Sequence, residues 1–310
     1  MKTICLVVPT FNEVQNVNAL YAAITNVFKA ELSEFEYSIL FIDNCSQDGT
    51  KEKLRALTID KRVRCIFNTK NFGPRRSGYN GMINSHGDAM ILICADFQDP
   101  PELIPQLIRS WMDGHKVVMA KKISADENKF IYFIRSIYYH LLTRANPMYA
   151  KIHGCTGFGI YDRVIVDRFR SVRDREPFFR GIVAEVSGDI HHMPYHRPNR
   201  SMGKRNNIAN YWDEGLTGLI NNSKLFIRMI LFTGLITSIL SICAAIFYVT
   251  MKLTYWSSFP TALAPLFILQ FGLFGILLFS IGMVAEYAGA IYSQVLDRDL
   301  VYEEERINFD

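Results

Sequence analysis

Three short segments carry most of the chemistry available to this chain. Pro9, Thr10, Asn12 and Glu13 follow the apolar run ICLVVP; Asp43, Asn44, Ser46 and Asp48 close or follow YSILFID; Asp96, Gln98 and Asp99 close or follow AMILICAD. Asp43 and Asp96 end strongly apolar runs, where an ionised carboxylate is costly unless a donor or a cation meets it. A hard divalent cation held by one or two carboxylates and completed by substrate phosphates is the economical reading. The chain has no G-x-x-x-x-G-K-[ST], and no G-x-G-x-x-G follows the first run, so P-loop and dinucleotide cradles are excluded. Phosphate must then be neutralised by metal and side chains. For Asn12, Ser46 and Asp99 the alternative is helix capping, because each stands just before a helical pattern.

These residues need a scaffold that brings strand ends together. Strand-length apolar runs at 4–9, 37–43, 63–67, 89–96 and 116–121 alternate with helical patterns at about 13–29, 47–57, 75–85 and 101–113. Strands apolar on both faces, alternating with helices, argue a mostly parallel sheet covered by helices. Ligands in such sheets bind beyond the carboxyl ends of the strands, where the three segments fall.

The second half reads differently. Met229–Met251 is apolar, and after Lys252 a further 33 residues carry no charge. At about 1.5 Å per residue each stretch can cross a hydrocarbon core of about 30 Å, so a two-helix transmembrane hairpin is expected. Pro260 and Pro265 fall at its turn and at the start of the second helix. Lys204, Arg205, Lys224 and Arg228 precede the first span and Arg298 follows the second, so the positive-inside rule places both termini in the cytoplasm. The first residues are too short for a signal peptide, and the large domain is expected to stay where it is made. Before Met229 the chain holds 31 Lys and Arg against 23 acids, a net of +8 that suits phosphate ligands or anionic headgroups. Nucleic acid is not expected as a partner. Six scattered cysteines without C-x-x-C point to neither a zinc ribbon nor a disulfide framework.

Taken in order, VVPTFNE (7–13), FIDNCSQDGT (41–50), NFG (71–73), GDAMILICADFQDPPE (87–102), TGFGIYDR (156–163) and FFRG (178–181) resemble family 2 glycosyltransferases of the polyprenyl-phosphate type. That group includes the dolichol-phosphate mannose synthases and the bacterial bactoprenol glucosyltransferases of the GtrB kind. The resemblance implies a GT-A fold over residues 1–205, an interfacial amphipathic helix or linker at 206–228, two transmembrane helices within 229–290 and a cytoplasmic tail at 291–310. It implies a nucleotide-sugar donor, UDP-hexose foremost or else GDP-mannose, and an undecaprenyl phosphate acceptor at the bacterial inner membrane. The lipid-linked sugar would supply cell-envelope glycan modification. By position, Asp43 would read the base; Pro9, Thr10, Asn12, Glu13, Ser46 and Asp96 would line the nucleotide pocket; Asp96 and Gln98 would hold Mg²⁺ or Mn²⁺. Asp96, Asp99 and Arg180 are the candidates for the chemistry, and Arg180, Arg200 and Lys204 for the acceptor phosphate. Because related enzymes can be tetramers, a homo-oligomer stays open.

The chain departs from the family pattern twice. Cys94 stands where D-x-D-x-Q has its first carboxylate, and Gly157 stands where relatives tend to carry an aspartate. A soft sulfur suits Mg²⁺ poorly, so either Asp96, Gln98 and the phosphates suffice or the preferred ion shifts towards Mn²⁺. An ionised phosphate acceptor needs no general base, so inverting, in-line transfer is compatible with Gly157. The rival readings are a processive polysaccharide synthase, for which Gln106, Arg109 and Trp111 give an off-register Q-x-x-R-W, and a catalytically inactive membrane-anchored binding protein. His191, His192 and His196 lack metal-ligand spacing on a helix.

Overall fold

The computed structural model describes residues 1–123, 143, 147–198, 225–255, 263–296 and 298–309. The chain divides into two compact units, Met1–Tyr211 with Leu296–Asp310, and Trp212–Val295.

The first unit follows the expected alternation: β1 (Thr3–Thr10), α1 (Val17–Glu31), β2 (Glu36–Asp43), α2 (Thr50–Leu57), β3 (Val63–Asn68), α3 (Gly73–Ile83), β4 (Ala89–Leu92), a 3₁₀ turn (Pro101–Leu103) running into α4 (Ile104–Met112), and β5 (Val117–Lys122). Beyond a second 3₁₀ segment come β6 (Cys155–Asp162), α5 (Arg163–Ser171), α6 (Phe179–Val186) and β7 (His191–Tyr195). The helices form because their apolar positions recur at helical spacing. In α1 the buried set is Val17, Leu20, Ile24 and Phe28, and in α4 it includes Ile104, Leu107, Ile108 and Trp111, one stripe each against the sheet.

The sheet has eight strands in the order β7-β5-β6-β4-β1-β2-β3-β8, where β8 is Glu303–Ile307. It is mixed. β1 pairs parallel with β2 and β4, and β2 with β3, while β6 runs antiparallel between β4 and β5. The chain winds from β1 outward through β2 and β3, then returns to β4 on the other side of β1. That reversal falls between β1 and β4, and such sheets bind ligands beyond the carboxyl ends of the strands at the reversal.

Two elements differ from the sequence reading. β4 stops at Leu92, four residues short of the expected end, because the Cys94 amide is taken by the Asp99 side chain rather than by a neighbouring strand. The C-terminal segment, expected as a charged tail, adds β8 to β3 in antiparallel register. Its charges explain the docking: Glu304 meets Lys51 at 2.5 Å and Glu305 meets Arg55 at 2.6 Å, both partners on α2. Asn308 then donates to the carbonyls of Thr58 and Val63.

The second unit contains α7 (Leu225–Thr254) and α8 (Leu263–Val295), which contact each other. Many of their large apolar side chains, among them Phe232, Leu240, Phe247, Leu278 and Phe279, are exposed. Among the described residues, one stretch, Leu273–Tyr292, is long and apolar enough to cross a membrane. The first expected span, Met229–Met251, lies inside the 30-residue α7, part of whose side chains fall outside the described set. The expected interfacial segment and the acceptor candidates Arg200 and Lys204 also lie outside the described residues.

Candidate active site

The loops after β1 and β2 are knitted together by the residues singled out above. The Ser46 hydroxyl accepts the Asn12 amide at 2.8 Å, and the Asn12 side-chain oxygen accepts the Gln47 amide at 3.0 Å. The Glu13 amide donates to Thr50 Oγ1, and the Glu13 carboxylate accepts from Asn16 at 2.6 Å. Thr10 donates its hydroxyl to the Ile42 carbonyl, and Pro9 and Thr10 lie in register with Ile42 and Asp43. None of Asn12, Ser46 or Asp99 caps the helix that follows it, since those N-cap positions are Asn16, Gly49 and Leu103. Their side chains serve loop-to-loop bonds instead.

Asp43 sits at the bottom of this arrangement with no exposure. Its Oδ2 accepts the Ser46 amide at 2.9 Å, while Oδ1 is buried without a hydrogen-bond partner. Burial raises its pKa above the usual 3.8, opposed by the hydrogen bonds from Ser46 and by Lys51. A buried acceptor left open in this way is a group waiting for a donor. The loop after β3 joins the same rim: Asn44 accepts from Asn68 and from the Phe72 amide, and donates to Asn71 at 2.8 Å. Asn68 was not singled out from sequence, although it too ends an apolar strand.

The turn after β4 presents Asp96 and Gln98 on its half-exposed side, and Asp96 Oδ1 accepts the Gln98 amide at 3.2 Å. Asp99 points the other way and is 2% exposed. Backbone strain collects in these loops. Asn12, Cys45 and Phe97 have φ of 55°, 64° and 58°, so three of the four non-glycine residues with positive φ among the described residues follow β1, β2 and β4. Such conformations cost roughly 1–3 kcal/mol each and persist where surrounding contacts over-determine them.

Residues 5–170 match the model of glycosyl transferase family 2. The chain belongs to this glycosyltransferase family. It is 29% identical over 303 residues to an uncharacterised glycosyltransferase of Synechocystis, covering 95% of this chain and 92% of that one. It is also 29% identical over 302 residues to a prophage-derived bactoprenol glucosyl transferase of Shigella flexneri, covering 95% of each. Among solved structures, glucosyl-3-phosphoglycerate synthase from Mycobacterium tuberculosis, in complex with Mn²⁺, UDP and phosphoglyceric acid, shares the fold with a TM-score of 0.53 at 13% identity, over 71% of this chain and 76% of that chain. The first unit is therefore a GT-A-like α/β domain with a mixed sheet, and the protein is an enzyme of the glycosyltransferase class.

In the glycosyltransferase the donor set for a cation is small. Among the described residues no three His, Cys, Asp or Glu side chains cluster as ligands, and the half-exposed oxygen-bearing side chains of the turn are Asp96 and Gln98. That set suits a hard divalent ion whose coordination is completed by phosphates. Cys94 suits such an ion poorly because a soft sulfur is a weak ligand for a hard cation.

Gly157 has φ of 99°, a left-handed conformation that L side chains rarely adopt, so the backbone at this position itself selects glycine. Arg180 lies in the first turn of α6, donating to the Cys155 carbonyl at 3.2 Å and lying over the Phe178 ring. Arg75 and Arg76, which follow NFG, lie 3.9 and 4.0 Å from Glu176. The off-register Q-x-x-R-W lies at the other end of the sheet: Trp111 donates to Asp162 and stacks under Lys2 at the start of β1, while Arg109 reaches Glu31.

Proposed function

We propose that this glycosyltransferase moves one hexose from a nucleotide sugar, UDP-hexose foremost, to a polyprenyl phosphate of the undecaprenyl class at the cytoplasmic face of a bacterial inner membrane. One observation carries the reading: a single chain joins an acidic crevice at the switch point of its sheet to an exposed apolar helix of bilayer length. Full-length similarity to bactoprenol glucosyl transferases supports it.

In this reading the open Oδ1 of Asp43 accepts the imide N–H of uracil. Pro9, Thr10, Asn12, Glu13 and Ser46 shape the nucleotide pocket around it. Asp96 and Gln98 would hold Mg²⁺ or Mn²⁺, which when bound neutralises the charge of the departing nucleoside diphosphate. The acceptor phosphate is already ionised at neutral pH, so the protein's contribution is to orient it and offset its charge, the task assigned to Arg180, Arg200 and Lys204. A phosphate oxygen attacks the anomeric carbon as the bond to the diphosphate breaks, and configuration inverts. No proton needs to be removed, which is why the loss of a carboxylate at Gly157 leaves the chemistry open.

Full-length protein in vesicles with undecaprenyl phosphate, given a panel of UDP- and GDP-sugars, should yield one lipid carrying a single sugar by mass spectrometry. From an α-linked donor the product should be β-linked by NMR. Polymer formation would instead establish a processive synthase, and an absence of transfer to any lipid phosphate would sink the proposal. GDP-mannose as the active donor would change the base read by Asp43 but not the reaction class.

A further inference from the structure

Behind the 94–99 turn lies a set of buried polar groups that the reaction above leaves without a role. Asp99 Oδ2 accepts the Cys94 amide at 3.0 Å, and its Oδ1 lies 3.4 Å from the Tyr195 hydroxyl. That hydroxyl is also 3.2 Å from Thr156 Oγ1. Cys94 follows β4, Thr156 is on β6 and Tyr195 ends β7, so one carboxylate network ties together three strands of the sheet.

Asp99 is 2% exposed, and its carboxylate is met by the Cys94 amide and the Tyr195 hydroxyl. A buried carboxylate is costly unless its oxygens are hydrogen-bonded in this way. The turn these groups hold contains the left-handed Phe97, a conformation that needs outside support.

We propose that Asp99, Tyr195 and Thr156 act as one positioning unit, which fixes the Cys94–Gln98 turn in the shape that presents Asp96 and Gln98 to the donor diphosphate. This rests on the proposed role of Asp96 and Gln98. Asp99 is then a positioning residue rather than a catalytic one.

The test uses full-length protein in detergent, with Mn²⁺-dependent UDP affinity read by calorimetry, the Mn²⁺ electron paramagnetic resonance spectrum of the complex, and steady-state KM and kcat. Tyr195→Phe keeps the ring and removes one hydroxyl, and should weaken Mn²⁺–UDP binding by about three- to tenfold with only a small change in melting temperature. Thr156→Val, which removes the hydroxyl that meets Tyr195, should weaken it in the same direction, and the Tyr195→Phe, Thr156→Val double variant should bind no more weakly than Tyr195→Phe alone, because the two hydroxyls act through one contact. Strictly additive losses would mean that the two hydroxyls act separately, and would overturn the unit. Unchanged Mn²⁺–UDP affinity in Tyr195→Phe would overturn it as well. Asp96→Ala, run in parallel, separates the two readings: undiminished Mn²⁺–UDP binding there removes the role of Asp96 on which the unit depends.

Discussion

Asp43 gives one carboxylate oxygen to the Ser46 amide at 2.9 Å and keeps the other, fully enclosed, without a partner. The bond fixes the carboxylate plane, so the open oxygen has one direction in which to accept. Replacing Asp43 by Ala should raise the KM for the nucleotide sugar by roughly 10- to 100-fold, the worth of one hydrogen bond to a charged group, with a smaller effect on kcat. Steady-state kinetics at saturating lipid phosphate measure this.

The same residue predicts a pH dependence. Burial raises the Asp43 pKa, so its ionised form is lost at a pH above the ordinary 3.8 as the solution is acidified. The folded state then binds this proton more readily than the unfolded chain, so protonation of Asp43 does not itself destabilise the fold. Donor kcat/KM should fall on the acid side while the melting temperature, corrected for other groups, does not follow. In Asp43→Asn that acid limb should vanish.

Asp60 shows the opposite sign and reports on stability alone. Its pKa is lowered to about 2, chiefly by hydrogen bonds from Arg62, with help from the Tyr21 hydroxyl. A depressed carboxylate contributes stability above its unfolded value of 3.8 and loses it as pH falls through about 2. Allowing for solvent screening, Asp60→Asn should cost about 1 kcal/mol at neutral pH and almost nothing near pH 2, by thermal unfolding.

Gly159 lies in β6 between Leu92 and Met119. A Cβ there would overlap the Val118 carbonyl oxygen and sit 3.0 Å from the Met119 Cα, both backbone atoms that cannot swing aside. Gly159→Ala should destabilise the first unit by about 1–3 kcal/mol and reduce activity through the displaced strand end. Chemical unfolding of the variant against the parent reads it directly.

The final strand should matter as much as any internal one. Asn308 holds two carbonyls at 2.8 Å in a left-handed conformation that asparagine tolerates. Asn308→Ala should cost about 1–3 kcal/mol, and a chain ended at Val301 should expose the β3 edge and aggregate more readily by light scattering.

Much of this was legible in the residues because the governing rules are local. Continuous apolar runs of strand length and helical stripes located β1, β2, β3 and β5, and the strand-end rule singled out Asp43, Ser46 and Asn12, which the loops join by hydrogen bonds. What was hidden depends on side chains meeting across long separations. The end of β4 is set by Asp99 reaching back to Cys94, and Asp99 is itself held by Tyr195, 96 residues away. Asp99 looked like a group for chemistry because its neighbours do, and nothing in its spacing reveals that it faces inward. β8 was misread because five residues with four charges resemble a solvated tail until Lys51 and Arg55 are placed opposite. Asn68 carried the same signal as Asp43 and was passed over for being neutral.

The position of β8 also orders events in time. A ribosome delivers β1 to β7 first, then both long apolar helices, and only then the residues that complete the sheet. During synthesis the β3 margin therefore stays bare until both long helices have been made. The sheet and the helical unit are therefore finished together, and a nascent chain released before Glu303 leaves an enzyme lacking its last rung.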